Sequence, residues 1–107
     1  MHIRDLHSEE LKTIQNYGIV LIQFYKPSCE DSELLRKEIE KIPNEGLYFN
    51  AARFNIEQDK TLAELYKVTK TPTLIIVKGN EILGRKEFFM TADEIKEWGH
   101  FSSIMGW

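Results

Sequence analysis

Cysteine occurs once in these 107 residues, at Cys29, so no disulfide can form within the chain. Positive charge is in the minority. Fourteen Lys and Arg face seventeen Asp and Glu, for a net charge of -3, and without clustered positive charge a nucleic-acid partner is not expected. No apolar run approaches the roughly 20 residues that cross a bilayer, which sets membranes aside. The three histidines, His2, His7 and His100, have no metal-ligand spacing with one another or with Cys29. A structural zinc site takes four ligands, so no metal is expected and the histidines read as surface residues. The opening segment Met1-His2-Ile3-Arg4-Asp5 lacks the basic-then-apolar layout of a signal peptide, and the expected compartment is the cytoplasm.

What remains is an ordinary domain, with 42% hydrophobic and 29% charged residues. A chain of this length buries roughly two-thirds of its unfolded surface, enough for one core without staples. There is no repeat, low-complexity tract or linker, so residues 1–107 read as a single domain. Ser8 before Glu9 and Glu10 reads as an N-cap with acids in the first helical turn, with Leu11, Ile14 and Tyr17 as the apolar stripe and Gly18 as terminator. Ile19 to Tyr25 is a nearly continuous apolar run, the mark of a strand buried on both faces.

A second helix begins near Cys29, turns Leu34, Leu35 and Ile39 inward, and stops before Pro43. Asn50 to Ile56 reads as a strand, Asp59 to Tyr66 as a short helix, and Thr73 to Val77 as a third strand. Gly79-Asn80 signals a hairpin into a fourth strand through Ile82 and Phe88. Thr91-Ala92-Asp93-Glu94 has the spacing of a capping box, with Ile95 and Trp98 as the core face of the last helix. The order α-β-α-β-α-β-β-α predicts an α/β fold, a small mixed sheet with helices on both faces.

One segment stands above background, Phe24-Tyr25-Lys26-Pro27-Ser28-Cys29-Glu30-Asp31-Ser32. A buried strand ends, a short loop follows, and the lone cysteine opens a helix. Unpaired N–H groups and the helix dipole there favour a thiolate, the nucleophile of disulfide exchange. The plainer reading of Cys29 is a small buried hydrophobe. Ser32, three residues on, shares a helical face with the sulfur and offers it a hydroxyl. Thr71-Pro72-Thr73 precedes the third strand, where a cis X-Pro bond would leave backbone free for an incoming peptide. Lys26 and the helix terminus should lower the Cys29 pKa, while Glu30 and Asp31 oppose them by about one unit each if poorly screened.

At these residues the chain resembles the thioredoxin family over nearly its whole length. The matches are Phe24 and Tyr25 on the strand, Cys29 in the attacking position, Thr71-Pro72 in the cis-proline position, and Phe54-Asn55-Ile56-Glu57 after the second central strand. The resemblance implies a thioredoxin-like three-layer α/β/α sandwich with a mixed central sheet. It also implies a thiol–disulfide oxidoreductase with Cys29 and Ser32 at its centre, and Thr71, Pro72, Ser28 and Phe88 facing substrate. The departures are as informative. Ser28 replaces the usual tryptophan, Glu30-Asp31 replace Gly-Pro, and Ser32 replaces the resolving cysteine. Gln23 stands at the buried carboxylate, with Arg53 at a nearby basic position, and Phe88 stands where a glycine commonly lines the groove.

A Cys-x-x-Ser site attacks a disulfide but cannot close its own, so an external thiol must release the product. Ser32 is either native, with glutathione as the natural co-substrate, or an engineered replacement of a resolving cysteine. The partners implied are protein disulfides or glutathione, with a reductase as electron donor, and no resident cofactor. A non-catalytic binding module on the same fold is the alternative. The chain reads as a monomer, with a dimer through Cys29 or through the apolar tail Phe101 to Trp107 left open.

Overall fold

Alternation along the second strand sets the layers. Leu21 and Gln23 face one side of the sheet, and Val20, Ile22 and Phe24 face the other, all essentially without exposure. The computed structural model describes residues 1–10, 12–13, 18–43 and 50–105, with side chains through residue 102. Its strands are β1 (Ile3–Asp5), β2 (Ile19–Tyr25), β3 (Asn50–Asn55), β4 (Thr73–Lys78) and β5 (Glu81–Lys86). Its helices are α1 (Glu30–Glu40), α2 (Lys60–Leu65) and α3 (Ala92–Met105).

The sheet order is β1-β3-β2-β4-β5. β1, β3 and β2 run parallel. β4 lies antiparallel to β2, and β5 antiparallel to β4. On one face Leu35 and Ile39 of α1 and Ile95 of α3 pack over Ile3, Leu21, Ala51, Leu74 and Ile76. On the other, Leu62 of α2 and Tyr66 close a cluster with Val20, Ile22, Phe24, Phe54 and Ile75. Phe24 stacks with Phe54 at 6.1 Å between ring centroids. This is a sheet between two helical layers, as the element order predicts.

Several details differ from the sequence reading. β1 has no signal in the sequence: three residues are too few for alternation to register, and β1 exists because β3 offers it an edge, pairing Ile3 with Ala51. Ser8 is no helix cap but part of a short 3-10 turn, Ser8–Glu10. There Glu10 accepts the His7 N–H at 3.1 Å. The expected stripe of Leu11, Ile14 and Tyr17 lies outside the described residues. Gly18 does take the left-handed φ of +79° that favours glycine.

Leu34 is 49% exposed rather than inward, because α1 turns Leu35 and Ile39 to the sheet and their neighbour must point away. β5 ends at Lys86, so Phe88 falls beyond it. The capping box is formed as read. Thr91 N–H donates to Glu94 Oε1 at 3.0 Å and Glu94 N–H to Thr91 Oγ1 at 3.3 Å.

Candidate functional site

β2 delivers the chain to one end of the sheet, and the loop after Tyr25 turns it into α1. Cys29 N–H donates to the Lys26 carbonyl at 3.1 Å, closing that turn. Cys29 then takes the N-cap position with extended backbone, φ −90° and ψ 109°. Its neutral thiol makes no capping bond, yet it sits where a capping acceptor would, facing the N–H groups of Asp31 and Ser32. The S–H instead points to the Thr71 carbonyl, 3.7 Å away. The Thr71-Pro72 peptide bond is cis, and Pro72 is buried while Thr71 is half-buried.

Partial burial pushes the Cys29 pKa up, but the hydrogen-bond donors around the sulfur outweigh it. The Ser32 and Thr71 hydroxyls and the backbone N–H groups of Ser32 and Asp31 all favour the thiolate. The net direction is below the ordinary thiol value. The contest expected between Lys26 and the acids Glu30 and Asp31 is not what decides it; oriented dipoles at short range are.

Ser32 is 1% exposed, and its hydroxyl makes no hydrogen bond of good geometry. What it does is lend partial charge to the sulfur. Below it, Gln23 on β2 donates Nε2 to the Ser32 carbonyl at 2.7 Å. Gln23 lies opposite Arg53 of β3, whose guanidinium carbon is 3.6 Å from the Tyr25 ring centroid. Gln23 Oε1, Ser32 Oγ and Arg53 Nε are all buried without a direct partner. A buried polar row therefore underlies the thiol, and none of Gln23, Ser32 or Arg53 can act as a carboxylate base.

Cys29, Ser32 and Thr71 are brought together, with Pro72 joined to Thr71. Ser28 is exposed, the last residue of the turn before the thiol. Phe88 is placed differently. Lys86 pairs with Leu74, so β5 leaves the sheet at the end where Pro72 enters β4. Phe88 there is 55% exposed and lines a shallow groove with Met90, Trp98 and Phe101. The sequence reading missed this groove, although Trp98 and Phe101, one turn apart on a helix, were its available signal. His7 is exposed, as the sequence reading has it, with Nδ1 3.8 Å from Asp59 Oδ2. Among the described residues no group of three or more His, Cys, Asp or Glu could hold a metal ion, and no helix is long and apolar enough to cross a membrane.

The site is thus an α/β sandwich with one cysteine at a helix N-terminus, against a Thr-cis-Pro turn. The thioredoxin family model matches residues 4–99. A thioredoxin of Chlamydia pneumoniae is 30% identical over 81 residues, covering 75% of this chain and 79% of that protein. The thioredoxin of Buchnera aphidicola is 26% identical over 101 residues, covering 92% and 91%. The chain belongs to the thioredoxin family, whose general chemistry is thiol–disulfide exchange.

Solved structures agree on the fold. Chloroplastic thioredoxin z superposes with a TM-score of 0.82 at 17% identity, covering 97% of this chain and 96% of its own. A mutant thioredoxin of Halobacterium salinarum gives 0.81 at 21% identity, covering 92% and 90%.

Proposed function

We propose that this protein is a monothiol thiol–disulfide oxidoreductase in which Cys29 attacks the disulfides of proteins or of glutathione. The observation that carries the reading is the placement of Cys29 Sγ at the N-terminus of α1, with Ser32 beside it and the Thr71 carbonyl 3.7 Å away. In the first step the Cys29 thiolate bonds to one sulfur of the substrate disulfide. The S–S bond breaks, and the second sulfur leaves as a thiolate that takes a proton from solvent. Ser32 supports the charge before attack, while Thr71, Pro72 and Ser28 form the surface an extended substrate meets.

Ser32 cannot expel the substrate. An external thiol such as glutathione attacks the mixed disulfide, returns Cys29 to its reduced form and carries away the oxidising equivalent. A reductase would supply electrons through that thiol, because the chain has no internal disulfide to reduce. This holds whether Ser32 is native or replaces a cysteine. A reducing compartment, the cytoplasm, fits a chain with one unpaired cysteine.

The test is intact-mass analysis after mixing the reduced protein with glutathione disulfide. The expected product is a single glutathione adduct on Cys29 that persists until thiol is added. Ser32→Cys should release it unaided, and Cys29→Ser should form none. An adduct forming no faster than on a free cysteine peptide would end the proposal.

A further inference from the structure

The groove beside Phe88 is an exposed apolar surface that the exchange chemistry itself does not require. Phe88 and Phe101 are 55% and 60% exposed. With Met90 and Trp98 they line a depression of about 360 Å³ between the end of β5 and α3. Single exposed apolar residues are common, but aromatic side chains gathered in one depression mark a contact surface.

Its rim is charged unevenly. Glu94 and Glu97 of α3 lie along one side, and Lys86 lies on the other. The lysine ammonium is 5.8 Å from the centroid of the Phe88 ring. Glu94 already accepts both the N–H and the hydroxyl of Thr91, which holds its pKa below the usual carboxylate range. It therefore keeps its negative charge at neutral pH. Two carboxylates against one ammonium leave the rim negative.

Position connects this groove to the thiol. The Lys86–Leu74 pairing puts the exit of β5 at the end of the sheet where Thr71-Pro72 meets Cys29. We infer that the Phe88–Trp98–Phe101 groove selects the substrate, seating a bulky apolar side chain of a peptide disulfide with a Lys or Arg beside it facing Glu94 and Glu97. This inference rests on the proposed attack by Cys29 and names the class of substrate that attack prefers.

The experiment uses the reduced full chain and peptide–thiopyridine mixed disulfides. Cys29 bonds to the peptide sulfur, the S–S bond breaks, and thiopyridine leaves with its electron pair as a coloured product. Neutral dithiodipyridine reports the reactivity of Cys29 alone, so each peptide rate is read as a ratio to it. Phe is scanned through the positions flanking the peptide cysteine, with Lys, Gln or Glu next to it.

One Phe position should raise the ratio about tenfold over Ser. Replacing the adjacent Lys by Glu should lower it about threefold at low salt and little at high salt. Phe101→Ser should remove the Phe gain, and Glu97→Lys should reverse the charge preference; both residues are exposed, so both variants should fold. A dithiodipyridine rate no better than that of a free cysteine peptide defeats the Cys29 reading. A fast dithiodipyridine rate with flat peptide ratios, or ratios that Phe101→Ser and Glu97→Lys leave unmoved, overturns the groove alone. A concentration-dependent dimer in sedimentation that Phe101→Ser dissolves would assign the groove to a second copy, and also overturns it.

Discussion

Gln23 and Ser32 are joined by a 2.7 Å hydrogen bond from the amide Nε2 to the backbone carbonyl. It ties the central strand to the first turn of α1 directly under Cys29. The bond holds the turn that carries the Ser32 hydroxyl and N–H, both of which favour the Cys29 thiolate. Gln23→Leu should therefore raise the pH midpoint of Cys29 alkylation. The stability loss should be about 1 kcal/mol, since the change removes one made bond and one unpaired acceptor, Gln23 Oε1, together. A urea melt and a pH–alkylation profile on the same variant check both parts.

The depressed pKa of Cys29 has two consequences. Its alkylation midpoint should fall below about 8.5, the free-thiol value, and Ser32→Ala should shift it upward by removing the hydroxyl that favours the thiolate. Stability follows the same sign. Between the folded and unfolded pKa values the unfolded chain holds a proton the folded one has lost, so stability rises with pH through that window and is fully gained above it. Cys29→Ser should lack this rise when denaturation midpoints are compared across pH.

Glu38 clamps two helices. Its Oε1 accepts the Ala92 N–H at 3.0 Å at the start of α3, while Oε2 pairs with Lys41. The Lys41 bond first, then the Ala92 N–H, hold its pKa below the usual carboxylate range. This contribution is present above the unfolded pKa of about 4.3 and is lost as pH falls through the folded value. Glu38→Ala should lower the melting temperature at neutral pH and narrow the gap to the parent protein under acid, as read by circular dichroism.

Gly84 on β5 lies against the Trp98 ring. A Cβ there would stand 3.0 Å from Trp98 Cζ2 and Nε1 and 3.3 Å from Ser102 Oγ. Gly84→Ala should force the indole or α3 to shift, costing about 1–3 kcal/mol. The tryptophan fluorescence of the folded state should change with it. A thermal midpoint equal to that of the parent would show that α3 yields freely.

The parts legible in the sequence were those that repeat locally. The apolar run Ile19 to Tyr25, the Gly79-Asn80 hairpin and the Thr91–Glu94 box each announced itself through spacing, and each is present. β1 was not legible because three residues carry no period. The choice between Leu34 and Leu35 was not legible either: both fit an apolar stripe, and only the angle at which α1 meets the sheet sends Leu34 to solvent. Nor could spacing show that Lys86 and Phe88 belong with Trp98 and Phe101, since the groove they line requires β5 and α3 to be packed side by side.

By itself the sequence determined that a thiol would open a helix after a buried strand, that no second cysteine would answer it, and that a Thr-Pro pair would precede the third strand. These are properties of neighbouring residues, set by backbone preference and side-chain type. Only the tertiary structure decided what the thiol meets. Thr71 reaches it from 42 positions away, Ser32 is buried rather than solvated, and Gln23 supports that turn from the strand beneath. Such contacts exist only when the sheet and helices close on one another, because their energies come from burial and from hydrogen bonds removed from water, and no local pattern records either.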